Sequence, residues 1–333
     1  MSQQVTIAVD AMGGDNAPEV VLEGVKAALA RDPELAVILC GPAEIVEPFA
    51  QQVERCEAQP ASEVIEMAEH PANAVRHKKE SSIVVGCRAV KEGRAQGFFS
   101  AGSTGACLAA GTLVIGRVKG IARPALAAVL PSPAHPVVLC DTGANADCKP
   151  EYLVQFANMA TIYAQSVLGI ENPRVGLLNI GEEKGKGSQF AQEVYELLEQ
   201  NVPNFAGNAE GRDVISGAFD IIVSDGFTGN VCLKTIEGTA KVLVKEMKKA
   251  MMASTKTKIG ALLIKRDLKK VLGSLDPDAV GGAPLLGVKG ACIVGHGSSN
   301  ARAIENGVLA TAAVARSGIN EIIAQTVQAT TRS

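Results

Sequence analysis

The stretch that decides the fold is VTIAVD-AMGGDNA-PEVVLEGVKAALA, residues 5–30. Its first six residues are an apolar, β-branched run that reads as a buried strand over 5–10. The glycine pair Gly13-Gly14 reads as a tight turn. The Val, Leu and Ala spacing that follows predicts a helix over 18–30. Together these make one βα unit, and the same formula recurs at four later strand ends. Ser100 leads into Ala101-Gly102-Ser103-Thr104-Gly105 and Asp141 into Thr142-Gly143-Ala144-Asn145. Asn179 leads into Gly181 and on to Lys186-Gly187, and Asp225 leads into Gly226-Phe227-Thr228-Gly229-Asn230.

Working outward from those turns, the pattern predicts strands over 5–10, 36–40, 97–101, 126–130, 137–141, 175–180, 219–224 and 291–294. Helices are expected over 18–30, 82–92, 105–115, 151–168, 188–200, 231–252, 259–272 and 301–316. Alternation of this kind builds βαβ units around a mostly parallel sheet flanked by helices. No repeat, low-complexity segment or linker divides the chain, so residues 1–333 are expected to form one interwoven α/β catalytic unit.

Composition excludes several classes of function. The chain is 47% hydrophobic and 20% charged, as a folded protein should be, and its aromatic content of 3% suits an aliphatic core of parallel strands. A formal net charge of −3 and so few stacking side chains argue against a nucleic-acid partner. MSQQVTIAVD at the start shows no secretory signal and no apolar run is long enough for a membrane span, so a cytoplasmic enzyme is expected. The eight cysteines are scattered and the four histidines do not cluster with them, which predicts free thiols, no metal and no cofactor.

Open α/β sheets bind ligands outside the carboxyl ends of their strands. Glycines there permit close backbone approach, and free N–H groups at loop-to-helix junctions form anion nests. Five such loops, converging on one edge of the sheet, read as a binding site. The nucleotide loops fail: Gly181–Ser188 matches the Walker pattern only loosely, and no dinucleotide fingerprint occurs. No nucleophile elbow is present either. What remains suits an enzyme that positions an anion with N–H groups, hydroxyls, amides and a lysine.

The stretches DAMGGDNAP (10–18), SAGSTGA (100–106), DTGAN (141–145), NIGEEKGKG (179–187), GNAEGRD (207–213), DGFTGN (225–230) and GGAPLLG (281–287) resemble the phosphate:acyl-carrier-protein acyltransferase family (PlsX) in order and nearly end to end. The resemblance implies an isocitrate/isopropylmalate dehydrogenase-like fold, related to phosphotransacetylases. It implies transfer of a fatty acyl group from acyl-acyl carrier protein to inorganic phosphate, feeding phospholipid synthesis. It also implies a homodimer that touches an anionic membrane surface peripherally and hands its product to a membrane glycerol-3-phosphate acyltransferase. Alternatives are a phosphotransacetylase-like enzyme using acyl-CoA, an NAD-dependent decarboxylating dehydrogenase, or a membrane scaffold.

On this reading Lys186, Asn230 and His296 are the candidate catalytic residues. Lys186 would neutralise developing charge, whereas Lys184 reads as a solvated loop lysine. His296 would protonate the leaving thiolate. The phosphate- and substrate-binding candidates are Asp10, Gly13, Gly14, Asp15, Ser100, Gly102, Ser103, Thr104, Gly105, Asp141, Asn145, Asn179, Asn208, Glu210, Asp225, Gly226 and Gly229. Gly102–Gly105 are expected to cradle phosphate. The aspartates are expected to fix loops, and the asparagines to donate to carbonyl or phosphate.

Residues 241–275 hold ten basic residues against two acidic ones, so this segment is +8 and the rest of the chain −11. Within it Ile264, Leu268, Val271, Leu272 and Leu275 fall at helical spacing. A basic amphipathic helical hairpin over 241–280, projecting as an interfacial anchor, is expected. A core or dimer contact, or a dock for an acidic carrier, is the competing reading.

Overall fold

The structure, a computed structural model, describes residues 4–132, 135–274 and 277–330. The first half of the chain contains β1 (Val5–Asp10), α1 (Glu19–Arg31), β2 (Leu35–Gly41), α2 (Ala43–Gln52), β3 (Cys56–Pro60), α3 (Pro71–His77), α4 (Ser82–Lys91), β4 (Gly97–Ser100) and α5 (Thr104–Ala110). A π-helical stretch, Gly111–Gly116, continues α5. Then come β5 (Ala125–Leu130), β6 (Val137–Cys140), α6 (Pro150–Ser166), β7 (Val175–Leu178), α7 (Gln189–Asn201), β8 (Phe205–Ala209) and β9 (Ile221–Val223). The long helices α8 (Gly226–Met251) and α9 (Thr255–Ser274) precede β10 (Ala283–Leu286), β11 (Ala291–Val294), α10 (Ala301–Arg316) and α11 (Ile319–Thr330).

All strands join one sheet in the order β3-β2-β1-β4-β11-β10-β5-β6-β9-β7-β8. From β3 to β11 every pairing is parallel. β10 then runs antiparallel to both β11 and β5, and β5 runs antiparallel to β6. From β6 to β8 the pairings are parallel again. Three successive reversals leave the two parallel blocks pointing in opposite directions. The expectation of five loops on one edge is therefore corrected. Asp10 and Ser100 close strands of the first block, while Asp141, Asn179 and Asp225 follow strands of the second, at the opposite edge. The reversal turns on β10, a four-residue strand too short to be read from periodicity.

Adjacent residues of a strand face opposite sides, and β4 shows what that does for the core. Phe99 enters the apolar layer that also holds Val25, Phe156 and Ile304, from helices α1, α6 and α10. Phe98 enters the layer on the other face with Ile83, Val84 and Cys107, under α4 and α5. Burying each such ring contributes up to about 3 kcal/mol. The eight cysteines are free thiols.

The helix expected over 231–252 starts earlier, because Asp225 caps it through Thr228 N at 2.8 Å. α8 and α9 pack against each other. α8 buries only Gly226 and Gly229 and exposes Phe227, Val231, Val242 and Leu243, and α9 exposes Ile259, Leu262, Leu263 (79%) and Ile264. Leu268, Val271 and Leu272 belong to a part of α9 whose side chains lie outside the described residues, as Leu275 does entirely. No helix among the described residues is long and apolar enough to cross a membrane.

Candidate functional site

Two sets of strand-end residues assemble, one at each edge. In the first, Asp10 ends β1 with only 2% of its surface exposed. Its carboxylate accepts the Met12 N–H at 3.0 Å and the Ser100 hydroxyl at 2.7 Å, and Ser100 Oγ accepts the Gly102 N–H at 3.0 Å. This relay clamps the turn after β4 to the turn after β1. Burial pushes the Asp10 carboxyl above its ordinary range, against the hydrogen bonds from Ser82, Ser100 and Met12. Gly13 fits because nothing larger can: a Cβ there would lie 2.7 Å from Gly102 N.

Ser103, also buried, accepts the Ala106 N–H at the start of α5. Its oxygen caps the helix as an acceptor, and its O–H proton is still able to donate. Thr104 is exposed beside it, and Gly105 packs against Pro71. The Asp15 N–H bonds Gly297 O at 2.7 Å, bringing the loop after β11 to Gly14 and Asp15. In that loop His296 Nδ1 accepts from Ser298 N at 3.2 Å and stands 2.8 Å from Ser298 Oγ. An Nδ1 acceptor leaves the ring proton on Nε2, which faces outward on an exposed residue.

The second set is organised by Asp141, fully buried at the end of β6. It accepts N–H groups from Leu126, Gly143, Ala144 and Asn145, and the Asn145 amide at 2.9 Å. Burial raises its carboxyl above the usual range while these bonds pull it back. The other Asn145 amide proton goes to Pro124 O at 2.8 Å. Asn145, expected as a ligand donor, has thus spent its amide on the loop. Gly226 N reaches back to Asn145 O at 2.8 Å, and a Cβ at Gly229 would lie 2.0 Å from Asp141 O, so the loops after β6 and β9 interlock. Asn230 comes out of that lock exposed, next to Gly143.

The neighbouring loop after β7 shows the same economy. Asn179 donates to Asn208 Oδ1 at 3.1 Å and to Lys186 O at 3.2 Å, and Asn208 donates to Glu183 O at 2.9 Å. These two amides brace the loop instead of facing a ligand. Lys184 is solvated as expected, with 57% of its side chain exposed, and it also bonds Glu199 at 2.5 Å and lies over the Tyr195 ring of α7. Lys186 is half-exposed and 3.9 Å from Glu183. Glu210 pairs with Arg212 at 2.7 Å, and Arg212 also holds Glu182 at 3.0 Å. Carboxylates of Glu182, Glu210 and Asp213 gather within 4.8 Å of one another, with that guanidinium among them.

Sequence reasoning missed the space between the sets. A cavity of about 670 Å³ lies between the α5–π-helical segment and the Ala144–Asn145 loop. Leu108, Thr112, Leu113 and Leu285 line it, together with Arg117, Arg123 and Tyr152. The one sequence sign was Thr104, Leu108 and Thr112 at i, i+4 and i+8, a single face leading from the first set to this cavity.

A profile of the family described as fatty acid synthesis protein matches residues 5–322. A phosphate acyltransferase of Desulfitobacterium hafniense (strain Y51) is 50% identical over 321 residues, 95% of this chain and 96% of the relative. One from Staphylococcus aureus (strain MRSA252) is 43% identical, covering 97% and 98%. Among solved structures, the EutD phosphotransacetylase from Staphylococcus aureus superposes with a TM-score of 0.59 at 17% identity, covering 94% of this chain and 95% of that one. A 4-hydroxythreonine-4-phosphate dehydrogenase from Klebsiella pneumoniae gives 0.51 at 13%, covering 95% and 99%. These two likenesses are of fold.

Proposed function

This chain belongs to the fatty acid synthesis protein family and transfers acyl groups to phosphate, and we propose that its donor is acyl-acyl carrier protein. The products are then an acyl phosphate and the free carrier thiol. Phosphate is nucleophilic at neutral pH, so the protein need only hold it against the thioester carbonyl. One phosphate oxygen forms the C–O bond, the C–S bond breaks, and the sulfur leaves as thiolate and takes a proton.

We assign phosphate to the Gly102–Gly105 turn. The Thr104 and Gly105 N–H groups, at a helix start, have no intrahelical partners. Asn230 and Lys186 are the carbonyl-side candidates from the opposite edge, which meet the phosphate turn only across the proposed homodimer, and His296 Nε2 is the candidate donor to the leaving thiolate. The reactants meet between the first turn of α5 and the Ala144 side of the second set. Orientation in such a site supplies roughly 7–11 kcal/mol, and one oxyanion donor roughly 3–4 kcal/mol. The observation that carries this reading is the contrast in the second set: its buried polar groups are saturated, and Asn230 and Lys186 stand exposed beside them.

A homodimer is part of the proposal, supported by exposed Phe227, Val231 and Ile180 next to the second set. So is peripheral membrane contact through the α8–α9 hairpin, where exposed Leu262 and Leu263 stand among lysines, followed by hand-off to a membrane glycerol-3-phosphate acyltransferase. The deciding experiment supplies acyl-acyl carrier protein with and without phosphate and traps the product with hydroxylamine. Hydroxamate that appears only with phosphate is expected. Equal thioester loss without phosphate makes the protein a thioesterase and ends this reading.

A further inference from the structure

The cavity between the two sets needs an occupant, and its shape and lining select one. At about 670 Å³ it falls in the range that holds a whole small-molecule ligand. One wall is Leu108, Thr112 and Leu113, the other is Ala144 and Asn145, and Leu285 lies between. Arg117 is exposed and keeps its charge, donating from Nη1 alone to the Ile121 and Ala122 carbonyls. Arg123 is a second exposed cation on the lining. The leucine side of this mixed lining suits a hydrocarbon chain, and the two arginines suit an anionic group attached to it.

Two further observations point the same way. The wall residues Thr112 and Leu113 belong to a π-helical stretch, Gly111–Gly116, a geometry that recurs at functional sites because it re-aims side chains within a helix. Leu113 is also half-exposed at 50%, although the chain buries most of its large aliphatics. Its uncovered face belongs to the cavity lining.

We propose that this cavity receives the hydrocarbon chain of the acyl donor, and that Leu108, Thr112 and Leu113 set how long a chain is accepted. The inference rests on the acyl-transfer reading above. The chain then runs past Leu108 toward Leu113, on the side of the molecule where Arg117 and Arg123 are exposed.

The test compares palmitoyl and octanoyl thioesters as donors for the full-length protein. Leu108→Trp narrows the passage, and its palmitoyl-to-octanoyl ratio of kcat/KM should fall about tenfold or more, since each methylene denied burial is felt in such a pocket. Leu113→Glu should lower the same ratio by placing a charge against the chain. Ile215→Trp, at an exposed apolar position outside the lining, should leave the ratio as in wild type. Equal proportional loss on both donors in the two cavity variants overturns the assignment. If wild type makes no acyl phosphate from either donor, it is the function that fails. Direct binding then decides the cavity: a fluorescent fatty acid should bind wild type and lose at least about tenfold in affinity in Leu108→Trp. Undiminished binding overturns the inference, and since Leu108 is only partly buried, a thermal melt identifies a variant that has merely unfolded.

Discussion

The two strand-end sets solve one problem in different ways. Each places a buried aspartate at the end of a strand, Asp10 in the first and Asp141 in the second, and each uses it to hold a glycine-rich turn. The first set works through a hydroxyl relay and leaves main-chain N–H groups at the start of α5 for a ligand. The second gathers its N–H groups onto Asp141 itself and presents side chains, Asn230 and Lys186. A cradle of backbone is rigid and suits a small symmetric anion. Long side chains suit a group whose charge develops during reaction. On the proposed assignment, similar turns therefore divide the labour.

The largest effect that could break this comparison is steric. Gly229→Ala drives a methyl against the main-chain oxygen of Asp141, where nothing can rotate away, and should cost about 3 kcal/mol or more in a urea titration. Gly13→Ala meets Gly102 N together with the Ser100 and Asp10 side chains, which can partly give, and should cost less. The reverse order would mean that the first set is the stiffer one.

Next in size is catalysis. Lys186→Ala should lower kcat by about a hundredfold, or about 2.7 kcal/mol, on the scale of a lost electrostatic stabiliser. Lys184→Ala should stay within about twofold in rate while losing only a solvent-screened surface pair. Equal rate losses would remove the distinction between Lys186, loosely paired with Glu183, and Lys184, held on α7.

Within the first set, Ser103 and Thr104 should separate cleanly. Ser103→Ala removes a helix cap and should cost about 1 kcal/mol of stability. Thr104→Val should leave stability alone and raise the KM for phosphate about tenfold or more, as expected when one charge-assisted hydrogen bond worth roughly 1.5–3 kcal/mol is lost. An unchanged KM would remove phosphate from this turn.

The smallest expected effect is a slope. Asp10 holds its proton more tightly folded than unfolded, so its stabilising contribution is full below the unfolded pKa and is lost as pH rises through the folded value. Asp10→Asn removes that titration. Relative to wild type the variant should be worst in acid and recover ground toward neutral pH, read from unfolding midpoints across a pH series.

The fold was legible where strands are apolar and closed by glycine turns. Val5–Asp10 and Ala291–Val294 match the expected ranges, as does Ala301–Arg316. It was illegible at the margins. β3 reads Cys-Glu-Ala-Gln-Pro and β8 reads Phe-Ala-Gly-Asn-Ala, polar sequences that suit the two outermost strands, where only one partner must be satisfied. α2 hid behind Pro48 inside it. At the site, residue types were readable but their commitments were not. Whether Asn145, Asn179 or Asn208 faces a ligand or a neighbouring carbonyl depends on contacts between loops 20 to 30 residues apart, such as Asn179 to Asn208 and Asn145 to Pro124. Strand polarity was the deepest gap, since it rests on β10.

That strand also governs when the molecule can become whole. β10 and β11 sit in the middle of the sheet, between β4 and β5, yet they are made after α9. Until they emerge from the ribosome, β4 and β5 each present an unpaired edge on the apolar interior of the protein. Pairings this distant in sequence close slowly and leave sticky edges open meanwhile. The newborn chain thus waits as two unfinished blocks, and its last structural act is to be zipped from the centre.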